Sequence, residues 1–291
     1  MAVRDWHGSA DDDFENANNW TAAVVPADGD TWRALNSANP MATNLDQSAK
    51  NFALVVIGAG MTGNSGSAGT YLEMGCTSLL CGGGGDIFID DGAADPAQDI
   101  ASVIVTGTGT GKSLNLKGEI GTLDVRKGTV NYFGATEELD NLIVSWLTSQ
   151  TGDATVTVNG TAILGTSFKS YGGTTLITGD CDLDAAVAIY GGTVTVQDIA
   201  AAPAGLIAVH GGSLIWNAED DPTAAGDLAV HGGTLDFSQD MRAKTLAAEI
   251  GMNGAANVNV RNGAANIDYT AAGIGVYGVN MPTLEMGKVI T

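Results

Sequence analysis

The sequence predicts an all-β chain wound as a parallel β-solenoid, right-handed by the usual crossover preference, and three observations carry that expectation. First, the chain repeats itself. A ring residue, two glycines and a Thr or Ser recur at Tyr171-Gly172-Gly173-Thr174, Tyr190-Gly191-Gly192-Thr193, His210-Gly211-Gly212-Ser213 and His231-Gly232-Gly233-Thr234, with the second glycines 19, 20 and 21 residues apart. Second, the flanking positions keep one apolar register. Alternate residues of a strand face one side, and the sixteen positions of one face are Phe168, Val187, Ile207 and Leu228; Ser170, Ile189, Val209 and Val230; Thr175, Val194, Leu214 and Leu235; and Ile177, Val196, Trp216 and Phe237. All but Ser170 and Thr175 are apolar, while Thr193, Thr195, Ala208 and Asp236 between them suit the outside. Third, a glycine pair provides a corner where positive φ or close backbone approach is needed. One coil cannot bury its apolar face alone, so such coils must stack, each buried Val, Leu or Phe contributing roughly 1.5–3 kcal/mol.

Composition agrees with a packed chain. Of 291 residues 41 are Gly and only 6 Pro, and 44% are apolar with 6% aromatic, which points to many corners around a core of Val, Ile, Leu and Ala. Twelve basic against thirty-three acidic residues give a net charge of −21, which repels phosphate backbones and anionic lipid and argues against a nucleic-acid or membrane partner. Cys76, Cys81 and Cys181 match no zinc spacing and read as buried, idle thiols. The opening Met-Ala-Val-Arg-Asp-Trp has no apolar h-region, and no apolar run reaches the ~18 residues of a membrane span. Synthesis in the cytoplasm without export is the expectation.

Taken in order, residues 1–40 form a distinct segment, expected to cap the solenoid or attach it. Three of the five tryptophans, Trp6, Trp20 and Trp32, lie here in a polar, acidic frame, and the raw edge of a first coil needs covering. The run Trp6-His7-Gly8, Asn18-Asn19-Trp20 and Pro26-Ala27-Asp28-Gly29-Asp30 resembles the opening of bacterial and phage parallel β-helix proteins. The Gly-Gly-Thr coils resemble the same group, which includes autotransporter passengers, phage tail spikes and phage capsid decoration proteins. The two resemblances together cover about half the chain.

Residues 41–269 read as the solenoid. Phe52–Ile57, Asp86–Ile89, Ser102–Val105, Ser113–Leu116 and Leu123–Val125 are candidate strands without a clean period. A further corner is read at Lys127-Gly128-Thr129, with Leu123, Val125, Val130 and Tyr132 inward, and then an insertion over Glu137–Leu147 that forms a short helix or a strand ending at Trp146. Another copy is read at Asn262-Gly263, after a longer loop over Met241–Asn253, with Val258, Val260, Ala265 and Ile267 inward. Residues 270–291 depart from the pattern, and Tyr277, Met281, Leu284 and Met286 make them too apolar to float free. A C-terminal cap or inter-subunit arm is expected there.

Several stretches imitate chemistry. Gly58-Ala59-Gly60-Met61-Thr62-Gly63 has dinucleotide-fingerprint spacing after an apolar strand, but Asn64-Ser65-Gly66-Ser67-Ala68-Gly69 lacks the helix that must follow. In Gly107-Thr108-Gly109-Thr110-Gly111-Lys112-Ser113 the first glycine of a phosphate loop is one place off, so a surface turn is expected. Gly82–Gly85 with Asp86, Asp90 and Asp91, and Asp11-Asp12-Asp13, read as solvated acidic loops, although such carboxylates also suit a hard cation. His210 and His231 should stack in line with Tyr171 and Tyr190, and no third metal ligand accompanies them. Asp180, Asp182 and Asp184, or Glu219, Asp220 and Asp221, are the carboxylates open to glycan hydrolysis, and no nucleophilic triad can be assembled. No catalytic residue, cofactor or metal is therefore assigned.

The resemblance and these exclusions together imply a non-enzymatic virion protein of a tailed bacteriophage. The role expected is a homotrimeric capsid decoration or cement protein on the head shell, with the major capsid protein or other virion proteins as partners. Trp6, Trp20, Trp32, Tyr277, Met281, Leu284 and Met286 are its expected interface residues. The alternative is a tail spike or fibre that binds a receptor or degrades a glycan.

Overall fold

Strands that bury one face and expose the other alternate apolar and polar residues, and that pattern recurs along the parallel strands described below. The computed structural model describes residues 1–92, 99–144, 154–200, 203, 205–218 and 228–237, and beyond them the strands Lys244–Thr245, Ile250–Asn259, Ile267–Asp268, Ile274–Tyr277 and Thr283–Glu285. The chain is all-β. Among the described residues the only helical pieces are two three-residue 3-10 turns, Ala17–Asn19 and Thr21–Ala23, and no helix is long and apolar enough to cross a membrane. Two units divide the chain, residues 1–139 with 149–156, and residues 140–148 with 157–291.

In the first unit one row of parallel strands runs Val3–Asp5, Thr31–Ser37, Leu54–Met61, Leu79–Cys81, Val103–Val105 and Ile120–Val125. Its inward residues align from Trp32 to Val55, Leu79, Val103 and Leu123, and from Ala34 to Ile57, Cys81, Val105 and Val125. All ten are buried. A second row runs Asp46–Phe52, Leu72–Cys76, Ile87–Asp90, Ser113–Leu116 and the start of Gly128–Val144, aligning Leu72, Ile89, Leu116 and Tyr132 inward. The ladder thus already includes residues 31–37, inside the segment expected to be a separate cap.

The N-terminal motifs have concrete tasks. Trp6, Phe14, Trp20, Trp32 and Phe52 form one aromatic cluster, with Phe14 and Trp20 edge to face at 4.9 Å and Trp6 and Trp20 at 5.2 Å. The Trp20 indole N–H donates to the Phe14 carbonyl at 2.7 Å. Asn19, fully buried, accepts from the Ala10 and Asp11 amides and donates to the Asp11 carboxylate and the Asp13 carbonyl. In the Pro26–Asp30 turn, Gly29 takes a φ of +74°, Asp28 accepts from the Asn51 amide and Asp30 from the Ala2 and Ala27 amides. The Ala2 amide is the main reason the Asp30 carboxyl sits below its usual range. The edge strand Val3–Asp5 is only three residues long and carries a two-point Asp5–Arg33 ion pair at 2.6 and 3.0 Å, both features that discourage further pairing.

In the second unit the repeat seen in the sequence is the ladder. Phe168 aligns with Val187, Ile207 and Leu228; Ser170 with Ile189, Val209 and Val230; Thr175 with Val194, Leu214 and Leu235; and Ile177 with Val196 and Trp216. Fifteen of the sixteen inward side chains fall within the described residues, and every one is buried, none more than 4% exposed. At the Gly191-Gly192 and Gly211-Gly212 corners both glycines are needed. Gly173, Gly192, Gly212 and Gly233 have φ of +71°, +76°, +71° and +74°. A Cβ on Gly192 would lie 2.4 Å from the Gly173 carbonyl oxygen, and one on Gly191 2.5 Å from that of Tyr171.

The next step corrects the expectation of a copy at Asn262-Gly263. Leu228–Asp236 pairs with Ile250–Asn259, so Leu228 meets Ile250, Gly232 and Gly233 meet Ala255 and Ala256, and Leu235 meets Val258. The copy falls within 22–23 residues, partly in the stretch read as a loop, and alanines replace the glycine pair that marked the other corners. Asn262 and Gly263 lie outside the described residues. Ile274–Tyr277 and Thr283–Glu285 then pair in parallel with Ile250–Asn259, placing Tyr277 opposite Asn253 and Leu284 opposite Val258. Residues 137–144 continue the strand Gly128–Val144 and form no helix. Trp146 lies outside the described residues.

Candidate functional site

Because the interior is apolar, any function must reside on outward positions and corners. In the second unit the outward residue before each glycine pair forms a ladder of rings. Tyr171 and Tyr190 stack at 4.9 Å, Tyr190 and His210 at 4.7 Å, and His210 and His231 at 4.9 Å, with interplanar angles of 9°, 6° and 14°. These spacings match the distance between neighbouring strands, so the strand register itself holds the rings face to face. Tyr190 is 45% exposed, and both histidines are exposed. Parallel imidazoles point their ring nitrogens in parallel, which does not converge two lone pairs on one metal ion. Among the described residues no group of three His, Cys, Asp or Glu could hold a metal. Partial burial, and secondly the neighbouring His231, hold His210 below the ordinary histidine range.

The glycine-rich decoys resolve into ladder geometry. The strand Leu54–Met61 runs straight through Gly58 and Gly60, and a Cβ on Gly60 would lie 2.7 Å from the Leu35 carbonyl oxygen, so strand packing demands that glycine. Gly109 stands in the same relation to Gly84, at 2.3 Å from its carbonyl oxygen. Lys112, which a phosphate loop would aim at a nucleotide, is paired with Asp86 at 2.8 Å. In the first acidic loop Asp11 is occupied by Asn16 and Asn19, which keep its carboxyl below the usual range.

One grouping escaped the sequence reading. Asp46 aligns with Glu73 and Glu73 with Asp90 on successive outward positions of the second strand row. Lys117 follows beside Asp90, its amide bonded to the Ile89 carbonyl and its ammonium 4.3 Å from the Tyr71 ring centroid. Burial first, then Asp46 and Asp90, push the Glu73 carboxyl up, and burial pushes Asp90 up. The steps between these residues, 27 and 17, share no period, so the sequence carried no signal for them. Asp182, one of the carboxylates singled out for hydrolysis, is likewise raised by burial and by Asp184. Glu219, Asp220 and Asp221 lie outside the described residues.

Of the residues expected at an interface, Trp6, Trp20 and Trp32 are 2%, 1% and 0% exposed and face each other inside the first unit. Their rings are core, and they present no surface to a partner. In the polar frame around them Asn19, Asp28 and Asp30 accept from backbone amides. Tyr277 and Leu284 lie on paired strands, and Met281 and Met286 lie outside the described residues. The three cysteines are free and buried, and burial pushes the Cys76 thiol up to about 12 and the Cys81 and Cys181 thiols to about 11. No family model, curated protein or solved structure matches the chain.

Proposed function

We propose that the chain is a structural protein built as a right-handed parallel β-solenoid, and that it serves as a homotrimeric decoration protein on the head of a tailed bacteriophage. The observation that carries the structural role is the buried, in-register column from Phe168 to Val187, Ile207 and Leu228 with its companions. A stack of rungs that bury a largely apolar column, Ser170 and Thr175 apart, and turn most corners on a glycine pair is rigid, and preformed rigidity lowers the ordering cost of docking. The virion assignment rests on the Trp-His-Gly, Asn-Trp and Pro-x-x-Gly-Asp motifs and on the Gly-Gly-Thr corners. The net charge of −21 suits an exterior that keeps particles apart. Cryo-electron microscopy of the assembled particle tests it: density for the chain in threefold clusters on the head supports the reading, and density confined to the tail tip overturns it.

The Asp46–Glu73–Asp90 row favours a second reading, a tail spike that cleaves a glycan. Carboxyls on adjacent strands start about 4.8 Å apart, close to the ~5–5.5 Å of a retaining pair, and a raised Glu73 suits a general acid. Release of reducing sugar from host capsule that Glu73→Gln abolishes would establish it; no release by the parent protein would remove it.

A further inference from the structure

We infer that the trough at one corner of the first unit is a docking site for an extended acidic peptide segment of a partner protein. The inference does not depend on the virion assignment. The trough has a volume of about 320 Å³ and is lined by the corner residues of four successive steps. One hydrogen bond repeats from step to step: the Gly82 amide donates to Ile57, Thr106 to Cys81 and Arg126 to Val105, at 2.7, 2.8 and 2.9 Å. Gly82, Thr106 and Arg126 are therefore equivalent, and one residue further on Ala59, Gly83, Gly107 and Lys127 follow each other along the floor. The floor is three small residues ending in a cation.

Packing explains most of its glycines but not all. A Cβ would lie 3.0 Å from Thr106 Oγ1 on Gly82, 3.0 Å from Ile57 Cγ2 on Gly83, and 3.1 Å from the Ala59 carbonyl oxygen on Gly84. At Gly107 nothing lies within 4 Å and φ is not positive. Neither sterics nor conformation requires glycine there, and its bareness serves to leave the trough open. Lys127 at the end has no ion-pair partner among the described residues, whereas Arg126 is held by Asp124 and Lys112 by Asp86. In a chain of net charge −21, an unpaired cation at the head of an open trough selects an anionic occupant.

The occupant's shape follows from the floor. Three intervals of about 4.8 Å span the length of about four extended residues at ~3.4 Å each. The lining offers Val56 and Leu80 for small apolar side chains and the Thr108 hydroxyl, which accepts from the Thr129 amide and keeps its proton to donate. It holds no aromatic ring on which a sugar would stack. A peptide alternating small and acidic residues meets all of these features.

The test is fluorescence anisotropy with the full chain and a fluorescein-labelled Glu-Ala-Glu-Ala-Glu-Gly peptide, beside a labelled oligouronate of similar charge. Saturable binding at low ionic strength is expected, weakened roughly tenfold or more by Gly107→Leu and several-fold by Lys127→Met, with the salt dependence flattened in the latter. Circular dichroism and Tm verify that each variant is folded; should Gly107→Leu not fold, Gly107→Ser and Lys127→Met decide. Absence of saturable binding, variants that bind like the parent, or tighter binding of the oligouronate than of the peptide each overturns the inference.

Discussion

Residues 168–235 and residues 32–132 solve one problem with different regularity. In the later region the steps of the ladder run 19, 20 and 21 residues, and each corner is two glycines after a ring residue. In the earlier one the steps run 23, 24, 24 and 20 along the first strand row and 17, 27 and 16 along the second. Yet the inward faces of both are equally dry. The difference teaches that parallel stacking fixes only the register where strands meet. The loops between them vary at little cost, since loop closure depends weakly on length. What the earlier region lacks in periodicity it gains from aromatic area in the Trp6, Phe14, Trp20, Trp32 and Phe52 cluster.

The largest expected effect sets one large side chain of each region against the other. Trp32→Ala and Trp216→Ala each remove a fully buried indole and should cost about 3–5 kcal/mol in chemical denaturation. Trp32→Ala also strips edge-to-face contacts with Phe14, Trp20 and Phe52, and a cost below about 3 kcal/mol would mean that the cluster adds little to the fold.

Next come the corners. Gly192→Val combines a left-handed φ of +76° with a Cβ 2.4 Å from a carbonyl oxygen, so a loss of about 3 kcal/mol or more is expected. Gly107→Ala, in open space, should be neutral or stabilise by up to about 1 kcal/mol by restricting the unfolded chain. Thermal melts of the two would separate a glycine held by packing from one that is not.

Smaller effects attach to the two polar members of the later column. Ser170 donates to the Gly191 carbonyl at 3.0 Å, and Ser170→Ala should cost about 1 kcal/mol. The buried Thr175 hydroxyl has no hydrogen-bond partner among the described residues, and Thr175→Val should stabilise by about 1 kcal/mol. Opposite signs in the same denaturation assay are the expected outcome.

The smallest effect is that of pH on the ring ladder. With the folded pKa of His210 lowered, the unfolded chain takes up the proton first as pH falls. The neutral ring therefore supports the fold above about 6.5, and this support is lost as pH falls from there through the folded pKa. The fall in Tm from about pH 7.5 to about pH 5.5 should be slightly smaller for His210→Phe than for the parent.

Much of the later region was legible because three signals coincided: a ring, a glycine pair and an apolar register of period two. Where one was missing the reading slipped. At Ala255 and Ala256 the corner persists without a glycine pair, with the single Gly254 before it, and the step was assigned too far along the chain. Steric need, invisible in one dimension, accounts for the glycines at 58, 60 and 109 that imitate nucleotide motifs. Trp6, Trp20 and Trp32 were expected at an interface, in a cap or attachment segment framed by polar residues, and are buried inside the first unit. Asn19, Asp28 and Asp30 in fact spend that polarity on backbone amides, a distinction that composition does not encode. The Asp46, Glu73 and Asp90 row arises only from strand register.

Engineered disulfides test the in-register stack most directly. Thr195 and Ile215 are partners on outward positions of neighbouring strands, and the ~4.8 Å strand spacing lies within the roughly 4.4–6.8 Å Cα separation a disulfide spans. The native cysteines are buried and do not compete. Under mild oxidation Thr195→Cys with Ile215→Cys should close to a disulfide in the folded protein, while Thr195→Cys with Ser213→Cys, slipped by two residues on the same face, should stay reduced. An open in-register pair, or equal closure of the slipped pair, would contradict the parallel stack.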